Sequence, residues 1–307
     1  MRVTNKMLVT NSLSNLNRGL ERLQYLSSRL ASGKKLMFPS DDPIGTGSVL
    51  RMYKGLEETR QYVANNDYGI GMLTAIDGAL TDLTSILQRA RELAVYGANG
   101  TLPEDSLYAL AREINELIDH AVQVANSTYA GIYIFGGQET SKPPYSAVVA
   151  PEDGTNIEKV ESIFSTYTDA KGITVEVGPS SELEISLPGS VIFDGDSGVF
   201  EVLIDLRRRL DAGDSEGVSS ESIAKLDAVI SQVLRYQAEV GAKTKRLETT
   251  KSRLEGLDIN LQTLISKTED IDVAEAIMHF KMQENAYRLA LDTTARIIQP
   301  TLMDFLR

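Results

Sequence analysis

The side chains that most often do chemistry are scarce in this chain. It has two histidines, His120 and His279, and no cysteine. A metal held on helices takes ligands three or four residues apart on one face. Neither histidine has a second histidine or a cysteine at that spacing, so both read as structural or surface residues. Asp41 and Asp42 stand side by side in "FPSDDP" and would be the obvious acid–base pair. General acid–base catalysis needs two carboxyls facing one substrate with their pKa values pushed apart, whereas neighbours at a helix start point apart. Asp194, Asp196 and Asp205 offer carboxylates to a hydrolase, but no His or Cys lies near them in sequence. "GIG" (69–71) and "FGGQ" (135–138) are too short to cradle a phosphate, and no Gly-rich loop ends in Lys-Ser or Lys-Thr. "GDSEGVSS" (213–220) reads as a Gly/Ser-rich turn between helices, and no nucleophile elbow of the G-x-S-x-G kind is expected. No active site is expected, and no cofactor.

The dominant signal is helical periodicity. Positions 9, 13, 16, 20, 23, 27 and 30 hold Val, Leu, Leu, Leu, Leu, Ser and Leu. This is a heptad seam on a helix of about 28 residues. It stops at Ser32-Gly33, where glycine suits the position past a helix end. Ser40, Asp41 and Asp42 are good N-caps and Pro43 fits the first helical position, so this turn is expected to start a second helix, its acids favouring the positive helix end. That helix runs from about Pro43 towards Asn99, with Gly69-Ile70-Gly71 as a weak point. Val49, Met52, Leu56, Val63, Ile70 and Leu73 form one stripe, and Ile76, Leu80, Leu83, Leu87 and Ala94 a second after a phase slip. At 1.5 Å per residue it would reach roughly 80 Å, too long for an ordinary globule.

A turn at Asn99–Ser106 leads to a third helix, about Glu104 to Ser127. After Gly131 the chain becomes rich in Gly, Pro, Ser and Thr, with strand patterns at Ile173–Val177 and Glu182–Leu187. A helix from about Val199 to Ala212 follows. A very long helical region then runs from Ile223, slips phase near Leu247 and breaks at Thr268–Asp272. The last amphipathic segment carries Val273, Ile277, Phe280, Tyr287, Leu291, Ile298 and Phe305.

The expected fold is mainly α with a β-rich insertion: an elongated helical rod whose first and last helices pair antiparallel as a coiled coil. The expected domains are 1–38 with 270–307 (terminal helices), 39–137 with 198–269 (helical core) and 138–197 (outer insertion). Ordering the chain ends costs more backbone entropy than one apolar stripe returns. Leu13, Leu16, Leu20, Leu23 and Leu30, with Ile277, Phe280, Tyr287, Leu291, Ile298 and Phe305, are therefore expected to form an assembly interface, mobile in the free subunit and ordered against neighbours. A closed bundle, with these helices packed on 43–130, is the alternative. Ser40, Asp41, Asp42 and Pro43 are expected to form an inter-domain turn.

The formal charge of −12 argues against coating nucleic acid. It is unevenly spread. Residues 1–35 carry Arg2, Lys6, Arg18, Arg22, Arg29, Lys34 and Lys35 against Glu21 alone, while 141–222 carry 16 acids against six bases. The acidic middle reads as solvated surface. The absence of tryptophan and the few phenylalanines suit Leu/Ile/Val/Ala helix seams. No run of about 18 apolar residues suggests a membrane span. The first 30 residues are periodic rather than continuously apolar, unlike a secretory signal, although an amphipathic, acid-poor start also fits a transit peptide.

Three segments resemble the bacterial flagellin superfamily. They are the N-terminal "MRVTNKMLVTNSLSNLNRGLERLQYLSSRLASGKKLMFPSDDP", the C-terminal "TEDIDVAEAIMHFKMQENAYRLALDTTARIIQPTLMDFL", and "ANSTYAGIYIFGGQET", where the helical core of that family passes into its outer domain. "FPSDDP", with Pro43-Ile44-Gly45 where flagellins more often carry alanines, and "IIQPTLMDFLR" look like the hook–filament junction members. The resemblance implies a non-enzymatic structural subunit of a tubular assembly whose inner wall is formed by the paired terminal helices. It implies export through the flagellar type III apparatus without a cleaved signal, and an extracellular place in the flagellum. The implied partners are copies of itself, hook-associated protein 1, flagellin and a flagellar export chaperone that covers the C-terminal helix. Flagellin itself is the alternative. A coiled-coil binding module or a hydrolase are the distant ones.

Overall fold

A computed structural model describes residues 5–151, 158–165, 172–195 and 197–305, with side chains for all of these except 5–6, 149–151, 158–159, 161 and 297–305. Helices dominate: α1 (Asn5–Ser32), α2 (Pro43–Gly97), α3 (Glu104–Ala125), α4 (Ser190–Phe193), α5 (Val199–Asp211), α6 (Ser215–Gly217), α7 (Ile223–Glu269) and α8 (Val273–Phe305). A π-helical turn, Val218–Ser222, joins α6 to α7. The strands form three antiparallel hairpins: β1 (Thr128–Tyr129) with β2 (Ile132–Tyr133), β3 (Tyr145–Pro151) with β4 (Glu158–Ser165), and β5 (Thr174–Gly178) with β6 (Ser181–Glu184). The fold is thus mainly α with a β-rich middle.

The chain divides into two compact units, one of 1–58 with 257–307 and one of 59–256. The boundaries fall inside α2 and α7. The second unit holds the core. Met72, Leu73, Ile76, Leu80, Leu83 and Leu87 of α2 are buried with Ile114 and Ile118 of α3, Leu203 and Leu206 of α5, and Leu226 and Val233 of α7. Phe135, Tyr145, Phe193 and Phe200 form an aromatic cluster with ring centroids 5.0–5.3 Å apart, a spacing that adds to their burial. Ion pairs pin neighbouring helices at the surface: Arg89–Glu113, Arg91–Asp227 and Lys251–Asp67, each at 2.6 Å.

The glycines at 69 and 71 do not weaken α2, which is continuous through them. They make room instead. A Cβ at Gly69 would stand 3.0 Å from both Ile185 and Leu247, and one at Gly71 would collide with the Tyr129 hydroxyl. The second strand pattern also ends early. Pairing stops at Glu184, yet Ile185 N–H still donates to the Ile173 carbonyl (2.9 Å), and Ser186 Oγ accepts from Ile173 N–H (2.6 Å). Leu183, Ile185 and Leu187 stay buried. An 18-residue window within α2 reaches a mean hydropathy of 1.3, enough by length and composition to cross a membrane, but half of it is buried in the protein, as in the core helix of a globular fold.

Candidate functional site

In the first unit α1 and α8 run antiparallel. Lys34 and Asp270 form an antiparallel bridge, and Gly19 faces Tyr287, whose ring would lie 3.1 Å from an added Cβ. Along α1, the half-buried positions are Val9, Ser12, Leu16, Gly19, Leu23, Leu26 and Leu30, with Arg29 beside them; along α8, Ala276, Phe280, Gln283, Tyr287, Ala290 and Thr294 are half-buried or buried, with Glu284 beside them. Apart from Arg29 and Glu284, both sets step alternately by three and four, as the core line of a heptad does.

This line divides the leucines expected at the interface. Leu16, Leu23 and Leu30 lie in it; Leu13 and Leu20, 50% and 42% exposed, lie beside it. On α8, Phe280 and Tyr287 lie in the line, while Ile277 and Leu291, 48% and 42% exposed, lie beside it. The side chains of Ile298 and Phe305 fall outside the described residues. In an antiparallel pair, residues flanking the seam on the same heptad side of each helix share one flank of the pair. Asn15 and Arg22 of α1 line one groove with Ala286 of α8, and Arg29 lines another with His279. These mark a polar, Arg-rich flank. Leu13, Leu20, Ile277 and Leu291 occupy the opposite side, with Glu284 between the last two and paired to Lys281 and Arg288, so that flank is mainly apolar.

The whole unit is short of core. Among the described residues, four of forty-seven buried apolar side chains belong to it: Val49, Leu56, Ile265 and Ala276. Yet eighteen of the twenty-five exposed large apolar side chains are there. An exposed apolar surface on that scale marks an interaction site.

The "SDDP" turn separates the two acids by role. Asp42 Oδ1 accepts from the N–H groups of Ile44 (3.1 Å) and Gly45 (3.0 Å), making Asp42 the N-cap of α2 with Pro43 first in the helix. Asp41 turns back: its Oδ2 accepts from Phe38 and Met37 N–H, both at 3.2 Å. Those bonds, Phe38 foremost, hold its carboxyl below its ordinary range. Gly33, at φ +69°, ends α1 in the left-handed region that glycine tolerates.

The groups that could have done chemistry have structural partners. Asp205 accepts from Lys225 (2.9 Å) and pairs with Arg209 (3.4 Å). Asp194 stands by Tyr145 and Ser165; burial raises its pKa, and hydrogen bonds from these two hydroxyls oppose the rise. Asp196 lies outside the described residues. His120 is exposed, and His279 lies 3.4 Å from Glu275 one helical turn back. "GDSEG" (213–217) has the spacing G-x-S-x-G after all, but it lies between helices. Gly213 turns at φ +70° and Asp214 caps α6 by accepting from Gly217 N–H (2.9 Å), with no strand before it. Among the described residues no three His, Cys, Asp or Glu gather as a metal site would need.

Residues 3–140 match the family model described as the bacterial flagellin N-terminal helical region, and residues 223–306 match the bacterial flagellin C-terminal helical region. The chain belongs to the bacterial flagellin family. The two matched regions carry α1 and α8, and they leave uncovered 141–222, the acidic middle. This flagellin-family chain is 24% identical over 306 residues to flagellar hook-associated protein 3 of Salmonella typhimurium (strain LT2), covering 95% of this chain and 96% of that protein. It is 26% identical over 287 residues to flagellin of Bacillus subtilis (strain 168), covering 91% and 90%. A solved structure of a flagellar hook-associated protein from Vibrio parahaemolyticus has the same fold, with a TM-score of 0.62 at 16% identity, covering 75% of this chain and all of that one.

Proposed function

We propose that this chain is a structural subunit of the bacterial flagellum that joins hook to filament, seated there through the α1–α8 hairpin. The observation that carries the seating is the exposed apolar surface, Leu13, Leu20, Ile277 and Leu291 included, on a unit with almost no core of its own. The relatives named hook-associated protein 3, together with the Pro43-Ile44-Gly45 run after the two aspartates, favour the junction over the filament. In this role Leu13, Leu16, Leu20, Leu23 and Leu30 with Ile277, Phe280, Tyr287, Leu291, Ile298 and Phe305 form the assembly interface. Residues 1–38 and 270–307 act as the inner domain, 39–137 and 198–269 as the helical core, and 138–197 as the outer insertion, with Ser40–Pro43 as the turn between the first two. Copies of the chain surround one another, hook-associated protein 1 stands on one side and flagellin on the other. The subunit reaches the cell exterior by type III export without a cleaved signal, its C-terminal helix covered beforehand by a chaperone. It performs no catalysis.

Deleting the gene tests this. Cells that keep their hooks and release flagellin monomers into the medium fit the junction role; full-length filaments contradict it. The likeness to flagellin supports a second reading, as the filament subunit. Immunogold staining along the whole filament, rather than in a band at the hook end, would favour it.

A further inference from the structure

We propose that Glu269 is the positioning residue of the terminal hairpin, its carboxylate tying the exit of α1 to the first turns of α2. The inference rests on the hairpin being the assembly surface. Glu269 is the last residue of α7 and, among the described residues, the one buried carboxylate. Oε1 accepts from Lys34 Nζ and Oε2 from the Tyr53 hydroxyl, each at 2.7 Å. The Lys34 ammonium also sits 5.8 Å from the centre of the Tyr53 ring, within cation–π range. The hydrogen bond to Glu269 holds Lys34 above its ordinary pKa.

The backbone is stitched at the same point. The Glu269 carbonyl accepts from Lys35 N–H, and the Gly33 carbonyl accepts from Ile271 N–H (3.0 Å). The segments leaving α1 and α7 therefore run side by side where the hairpin begins. A buried carboxylate with both oxygens engaged holds its neighbours to one geometry, because displacing Lys34 leaves the carboxylate charge unpaired out of water and displacing Tyr53 leaves one oxygen without a donor. The α1–α8 seam offers no comparable fix. Its core line includes Ser12, Gly19, Gln283 and Thr294, and most of it is only half-buried. Lys34, Tyr53 and Glu269 thus fix the direction in which the hairpin leaves the rest of its unit.

The test uses the full chain, restored to a deletion strain, with filament number and swimming as readouts and urea unfolding of the purified protein as control. Glu269→Ala and Lys34→Glu are each expected to reduce filaments at least tenfold while the urea midpoint of the main transition stays at the parental value. Tyr53→Phe, which removes one hydroxyl, is expected to fall between. The charge-swapped pair Lys34→Glu/Glu269→Lys is expected to recover at least half of the parental filament number, a rescue that restored volume alone would not give. Parental filament number in Glu269→Ala, or no recovery in the swap, overturns the proposal. If Glu269→Ala assembles normally while Leu13→Lys/Leu20→Lys does not, the positioning role falls and the junction role stands. If both assemble normally, both fall.

Discussion

Leu13→Lys/Leu20→Lys puts two charges on the apolar flank. The two leucines keep 50% and 42% of their surface exposed in the isolated chain. Fully burying a leucine is worth about 1.5–3 kcal/mol, so the uncovered half of each has about 1 kcal/mol left to gain when a neighbour covers it. Lysine forfeits that gain and adds the cost of pressing an ammonium against apolar surface, at least about 1 kcal/mol more. The two changes together remove about 4 kcal/mol per seating, close to a thousandfold in affinity. In the free chain the same substitutions do little. Leucine and lysine have nearly equal helix propensity, and the lysine stem covers the surface that the leucine half-covered. The purified variant should melt within about 3 °C of the parent, since about 1 kcal/mol moves a chain of this size by roughly 2–4 °C. The same variant should leave a deletion strain without filaments. Asn15→Lys, on the polar flank, should swim like the parent. A double variant that builds parental numbers of filaments would refute the reasoning. So would one that melts far lower, because the leucines would then belong to the core of the monomer.

Three further outcomes follow from the same geometry. Gly19→Val forces a branched side chain to where a single Cβ already stands 3.1 Å from the Tyr287 ring; the α1–α8 pair should separate, seen as loss of a disulfide engineered across the seam. Asp42→Ala removes the N-cap of α2 and should cost about 1 kcal/mol, read from urea unfolding, whereas an unchanged midpoint would mean that the cap carries no stability. Asp194 has its pKa raised by burial, opposed in part by Ser165 and Tyr145. A carboxyl with a raised folded pKa stabilises fully below its unfolded value, near pH 4, and loses that contribution as pH climbs through the folded value. The stability of the parent relative to Asp194→Asn should therefore decline from about pH 4 upwards and then level; a difference constant with pH would contradict this.

The long helices were legible because heptad repetition and punctuation agree. Gly33, the "SDDP" cap and the break before Val273 mark their ends, and each signal is local. The role of each acid in the turn was not legible, because any of Ser40, Asp41 and Asp42 can cap a helix, and only the chain path assigns Asp42 to α2 and Asp41 to residues 37–38. The glycines at 69 and 71 misled for a related reason: local propensity marks a weak point, but tertiary packing of Tyr129, Ile185 and Leu247 is what requires them. The β3–β4 hairpin went unseen. Its strands mix alanine, serine and a bulge at Val148/Val149 with few alternating apolar residues. At the candidate surface the apolar stripe was visible, but its division was not. Leu13 and Leu16 are both leucines at heptad spacing, and only the partner helix, entering against Ser12, Gly19 and Leu26, decides which lies in the seam. Glu269 carried no sign in the sequence, because its partners Lys34 and Tyr53 are more than 200 residues away.

The central claim is that α1 and α8 depend on neighbouring molecules for their order. Amide hydrogen exchange on a strictly monomeric sample, compared with the same protein in isolated flagella, tests it most directly. Rapid exchange across Leu13–Leu30 and Ile277–Ile298 in the monomer, with strong protection in the assembled state, is the expected result. Strong protection of both segments in the monomer would contradict it.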